Sequence, residues 1–168
     1  WAAETARTRA TVMRRWFDLI IQHREELALI CTLEAGKPLY EGRGELDYAA
    51  SFVEWFGEEA RRNYGETIPG FTAGKEIVVT KEPVGTCAAI TPWNFPLTMI
   101  TRKAAPAIAV GCSIVMKPSE ATPLSALALE KLAWEAGIPR DVFRIVPSDD
   151  ARGVGEVFCT HPTIRKIS

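Results

Sequence analysis

Apolar and polar positions fall into two regimes along the chain. Over the first 64 residues apolar side chains return every three or four positions: Val12, Trp16, Leu19 and Ile20, then Leu27, Ile30 and Leu33, then Leu46, Ala49, Ala50, Val53, Phe56 and Ala60. That period marks one face of an α-helix and predicts helices over 2–22, 23–34 and 40–63, the second stopped by Gly36-Lys37-Pro38. Trp55 and Tyr64, at the edge of the third stripe, read as packing residues. From Thr86 onward short apolar runs alternate with helical stretches. TCAAIT (86–91), SIVM (113–116), VFRIV (142–146) and TIRKIS (163–168) are too short for helices and suit strands of a parallel sheet. The stretches 96–110, 122–136 and 154–159 between them read as helices, with Thr122 and Pro123 as N-cap and first-turn residues of the middle one.

Between the two regimes lies YGETIPGFTAGK (64–75), whose Gly, Pro and Thr mark a boundary. EIVVTKE (76–82) follows as a strand outside the parallel series, free to pair elsewhere, another subunit included. The predicted architecture is therefore α/β, with a helical layer (1–64), a linker and bridging strand (65–85) and a doubly wound parallel layer (86–168). Ligands of such sheets bind beyond the carboxyl ends of the strands. Thr91-Pro92-Trp93-Asn94 and Lys117-Pro118-Ser119-Glu120 are thus expected side by side at one rim.

Composition narrows the partners more than the fold. In 168 residues, 47% hydrophobic and 24% charged, 20 Lys and Arg face 21 Asp and Glu for a formal net charge of −1, so no nucleic-acid footprint is expected. No apolar run approaches the ~20 residues of a membrane span, and Glu4, Asp18, Glu25 and Glu26 interleave the arginines of the first helices, which argues against a membrane anchor. Cys31, Cys87, Cys112 and Cys159 form no C-x-x-C pair and are read as reduced structural thiols, in keeping with a cytoplasmic setting, or a mitochondrial matrix if a transit segment preceded Trp1. His23 and His161 stand in no ligand pattern, so no metal is expected. Trp1 in place of Met, and a strand that stops at Ser168 without a turn, lead us to expect a piece of a longer protein.

The glycine signature of dinucleotide-binding turns is missing, since Gly153-Val154-Gly155 and Gly42-Arg43-Gly44 lack the third glycine and follow no strand. The rim carries ITPWNFP (90–96) and MKPSEATP (116–123) instead. Prolines on both sides stiffen the first loop. Its Asn94 amide either donates a hydrogen bond to a developing oxyanion or caps a turn; the residues alone leave both open.

ITPWNFP, ITRKAAPAIAVGCSIVMKPSEATPLSALALEKLAWEAGIP and the terminal IRKIS resemble the aldehyde dehydrogenase superfamily, and within it succinate-semialdehyde dehydrogenases above all. TLEAGKPL, SFVEWFGEEARR and CTHP extend the likeness along nearly the whole chain. The resemblance implies the N-terminal helices and the front half of a Rossmann-like coenzyme-binding domain. It also implies an NAD(P) coenzyme, a small aldehyde substrate, and a homodimer or homotetramer. The Glu120 carboxylate, which can accept from a ribose hydroxyl and would repel a 2′-phosphate, makes NAD the expected preference, with NADP possible. By the same resemblance Asn94 is the oxyanion-hole donor and Lys103 an active-site lysine. Lys117 and Glu120 hold the adenosine ribose, while Ile90, Thr91, Pro92, Trp93, Pro118 and Ser119 belong to the coenzyme channel. Arg102 matches the arginine that holds a substrate carboxylate, with an ordinary helix-surface charge as the alternative. The family's catalytic cysteine and general-base glutamate lie downstream of these motifs, and none of the four cysteines occupies the nucleophile's place. Other readings are a different subgroup, such as glutarate-semialdehyde dehydrogenases, or a truncated module that binds nucleotide or a subunit without catalysis.

Overall fold

The computed structural model describes residues 1–168 as six helices and six strands. Helices α1 (Ala6–Gln22), α2 (Arg24–Ala35) and α3 (Leu39–Glu59) come first. Thr5 caps α1 by accepting the Thr8 N–H at 3.1 Å, so the helix starts later than the apolar period suggests. Gly36, in the left-handed region at φ 72°, ends α2, where a residue with a Cβ would be strained.

Strands β1 (Glu66–Pro69) and β2 (Glu76–Val79) then form an antiparallel hairpin, with Glu66 opposite Val79 and Pro69 opposite Glu76. β1 lies in the stretch read as linker, and β2 finds its partner there. Every residue of the hairpin strands is exposed, so no burial alternation announced the first of them.

The parallel sheet is built from β3 (Thr86–Ile90), β4 (Ile114–Lys117), β5 (Phe143–Ile145) and β6 (Ile164–Ile167), in the order β5-β4-β3-β6. Helices α4 (Thr98–Ala109), α5 (Pro123–Ala136) and α6 (Ala151–Thr160) connect successive strands. Registers pair Ile90 with Lys117, Met116 with Ile145 and Ala88 with Ile167.

One core of 32 buried residues runs from α1, α2 and α3 through α4 and α5 into the sheet. Trp16 is fully buried at its centre, donates its indole N–H to the Leu129 carbonyl at 3.2 Å, and stands 5.7 Å from the Phe143 ring. An aromatic of this size removes about 150–250 Å² from water, worth about 4–6 kcal/mol at ~25 cal/mol per Å². Two packing expectations are corrected: Trp55 is 62% exposed and Tyr64 68%. Val53 is buried, and a residue two positions along a helix points to nearly the opposite side, so Trp55 faces outward. Leu33 and Leu124 are likewise exposed. Cys31, Cys87 and Cys112 are buried as expected of structural thiols, but Cys159 is exposed on α6.

Candidate functional site

The strand order reverses beside β3: the chain runs outward through β4 and β5, then returns to place β6 on the other side. Such a switch point leaves a crevice where successive loops part to opposite sides, and this is where open α/β sheets bind ligands. The loop leaving β3 is Thr91 to Pro96. Thr91 is buried and donates its N–H to the Lys117 carbonyl at 3.0 Å, which joins this loop to the one leaving β4. Pro92, Trp93, Asn94 and Phe95 then stand exposed, with Trp93 at 58%, while Pro96 and Leu97 turn back into the core. Ile90, at the strand end, is 42% exposed.

Four exposed residues in a row would be mobile without support from behind. The support comes from α3 and the α2–α3 turn. Glu45 Oε1 accepts the N–H groups of Leu97 at 2.8 Å and Thr98 at 3.2 Å, and so caps α4, whose own cap residue Leu97 has no oxygen to offer. Lys37 donates to Glu45 and to the Asn94 carbonyl, the latter at 3.0 Å, with its ammonium 4.7 Å from the Phe95 ring centroid. Lys37, Glu45, Trp93, Asn94 and Phe95 line one cleft of about 570 Å³.

At the end of β4, Lys117 is 2% exposed, yet its ammonium reaches the rim, donating to the Pro118 carbonyl at 3.2 Å and to Glu120 Oε2 at 3.1 Å. An ammonium has three hydrogens, so one donor is left over. A backbone hydrogen bond and Lys117 hold the Glu120 carboxyl below its usual range. Ser119 Oγ accepts the Ala121 N–H at 3.2 Å, which tightens the turn, and Pro118 is buried beneath it. Thr122 occupies the N-cap position of α5 but does not cap it: its hydroxyl and that of Ser125 are buried without a partner. Glu34 of α2 caps α5 instead, accepting Leu124 N–H and Ser125 N–H at 2.8 Å each. The leftover ammonium donor of Lys117 beside the exposed Glu120 carboxylate fits a polar, hydroxyl-bearing ligand at this rim.

Arg102 and Lys103, on α4, belong to a different cleft of about 550 Å³ shared with Lys166, Ser168, Cys87 and Cys112. No carboxylate lines it, and three cations do. Lys103 donates to Ser168 Oγ at 2.9 Å, and burial, reinforced by Arg102 and Lys166, holds its ammonium below the usual lysine range. Arg102 is exposed and lies 5.5 Å from the Phe52 ring centroid. The predicted residues therefore gather in two groups, Ile90–Asn94 beside Lys117–Glu120, and Arg102 beside Lys103.

Burial, with the charge of Glu45 next in weight, pushes the Cys31 thiol up to about 12, and burial with Cys112 nearby pushes Cys87 to about 11. Neither forms a useful thiolate near neutral pH. No group of three or more His, Cys, Asp or Glu is placed to hold a metal ion, and no helix is long and apolar enough to cross a membrane. Sequence reasoning missed Glu34, Lys37, Glu45 and Lys166. The first two lay in plain view in TLEAGKPL, but only the fold shows what their side chains reach.

The parallel sheet flanked by helices, with both polar loops at the carboxyl strand ends, defines an α/β protein of the Rossmann-like kind. The model of the aldehyde dehydrogenase family matches residues 1–168, and the chain belongs to that family. It is 55% identical over 168 residues to the succinate-semialdehyde dehydrogenase [NADP(+)] GabD of Escherichia coli (strain K12) and 56% identical to a glutarate-semialdehyde dehydrogenase of Pseudomonas aeruginosa, covering 100% of this chain and 35% of each relative. The crystal structure of an aldehyde dehydrogenase from Brucella melitensis biovar abortus 2308 superposes with a TM-score of 0.98 at 55% identity, over 99% of this chain and 34% of that one. The chain thus spans about a third of the length of the relatives it matches.

Proposed function

We propose that this chain forms the coenzyme rim and the oxyanion side of an NAD(P)-dependent aldehyde dehydrogenase that oxidises succinic semialdehyde to succinate. The observation that carries the reading is the Thr91 to Lys117 hydrogen bond, which sets the Asn94 loop and the Lys117–Glu120 loop side by side at the switch point. The bound coenzyme supplies a hydride acceptor. Asn94 donates from its amide to the oxyanion formed when a thiolate adds to the aldehyde carbon. Lys117 and Glu120 hold ribose hydroxyls, and Ile90, Thr91, Pro92, Trp93, Pro118 and Ser119 line the channel. Glu120 supports NAD ahead of NADP, because a 2′-phosphate would meet its charge. The NADP(+) of the GabD name stands against that order. The cationic cleft at Arg102 suits a carboxylate-bearing aldehyde, and glutarate semialdehyde is the nearest rival substrate.

The nucleophilic cysteine and the general base lie outside these 168 residues, so the chain alone does not oxidise aldehydes. The exposed β1–β2 hairpin is proposed to meet a second copy in a homodimer or homotetramer. The test is reduction of NAD and NADP by the full-length protein that contains this chain, supplied with succinic semialdehyde, glutarate semialdehyde or an uncharged aldehyde. Highest kcat/KM for succinic semialdehyde is expected. No coenzyme reduction with any aldehyde overturns the reading.

A further inference from the structure

The loop that carries Asn94 is held from behind by a largely buried ion pair, Lys37 with Glu45. Glu45 has a side chain only 1% exposed and meets four donors: Leu97 N–H and Thr98 N–H on Oε1, Lys37 and the Cys31 thiol (3.4 Å) on Oε2. Lys37, 13% exposed, reaches onward to the Asn94 carbonyl at 3.0 Å and to the face of Phe95. Helix capping alone needs only a short polar residue at the cap. Here a charged pair has been drawn out of water, with the desolvation cost that entails, and its ends grip the backbone at Asn94 and just after it.

We propose that Lys37 and Glu45 are positioning residues that fix the Asn94 loop, so that the Asn94 amide stands at the oxyanion rather than near it. The proposal rests on Asn94 being the oxyanion donor. Lys37 fixes the loop through the carbonyl of Asn94 itself, and Glu45 fixes the chain three and four residues on. Loss of either leaves the donor present but displaced. A displacement of about 1 Å costs up to about 10²-fold in rate, and the loss cannot exceed the roughly 10²–10³-fold of removing the donor.

The test is a double-mutant cycle in the full-length protein, with succinic semialdehyde and saturating coenzyme. Lys37→Met should lower kcat by about 10–10²-fold while the coenzyme dissociation constant moves far less. Lys37→Arg should recover most of the loss. In an Asn94→Ala background Lys37→Met should add nothing, because no donor remains to be displaced. Glu45→Gln should repeat the pattern, and Lys37→Gln replaces the methionine variant in the cycle if that protein does not fold. Fully additive losses in the cycle, or a silent Lys37→Met beside a damaging Asn94→Ala, overturn the positioning role alone. An Asn94→Ala variant with unchanged kcat overturns the oxyanion reading, and the proposal with it.

Discussion

The Glu34 carboxylate accepts the Leu124 N–H at 2.8 Å across 90 positions of sequence, so α2 supplies the cap that α5 lacks. The second carboxylate oxygen takes Ser125 N–H. Two otherwise orphaned helix donors thus depend on one side chain. Glu34→Ala should cost about 0.5–2 kcal/mol, the usual worth of an N-cap. Glu34→Gln, which keeps one acceptor, should cost less. Urea unfolding of the full-length protein checks both, and equal midpoints for wild type and Glu34→Ala would mean that water caps α5 as well.

Glu130 closes the outer edge of the sheet, accepting the Ile145 N–H at 2.6 Å, and burial is the main reason its carboxyl titrates above the usual range, against the pull of Ile145, Arg144 and Arg140. A carboxyl with a raised folded pKa binds more protons native than unfolded across that interval. Its contribution is therefore full below the unfolded value, falls as pH rises through the folded one, and is constant above it. Glu130→Gln removes the titration but keeps an acceptor. Its Tm relative to wild type should climb as pH goes from about 4 to 7, whatever constant offset the amide brings. A pH-independent difference would show that Glu130 ionises as an exposed carboxyl does.

Arg102 shares its cleft with two lysines and no acid. Arg102→Ala should raise KM for succinic semialdehyde far more than for an uncharged aldehyde of similar length. Equal effects on the two substrates would return Arg102 to the role of a surface charge stacked near Phe52.

Glu120 is tethered to Lys117 in the same loop. Glu120→Ser should shift the kcat/KM ratio of the two coenzymes towards NADP by removing a like charge from the 2′-phosphate. A wild type that already uses NADP better than NAD would show that Glu120 does not face the ribose.

The elements were legible where burial and period agree. TCAAI and IVMK are nearly continuous apolar runs because both faces of β3 and β4 are covered, and they appeared at their observed places within a residue. β1 was illegible because all four of its side chains meet solvent and it ends in Pro69, so neither alternation nor propensity speaks for it. At the site, the rim loops could be read from strand ends, but the grip on Asn94 could not. Lys37 and Asn94 are 57 positions apart, and Glu45 and Leu97 52, and nothing in either local sequence says that a carboxylate on one helix caps another.

β3 is interior only because β6 comes back to its free side. A chain emerging from the ribosome can zip β3 to β4 and then β5 as each appears, while the opposite edge of β3 keeps its amides and carbonyls open until residues 164–168 follow. Ser168 closes that edge, donating its N–H to the Ala88 carbonyl and accepting the Ile90 N–H on its own carbonyl. Residues 164–168 thus convert a bare margin of β3 into a paired strand. A nascent chain stalled before Ile164 would offer an unsealed strand to any other chain nearby.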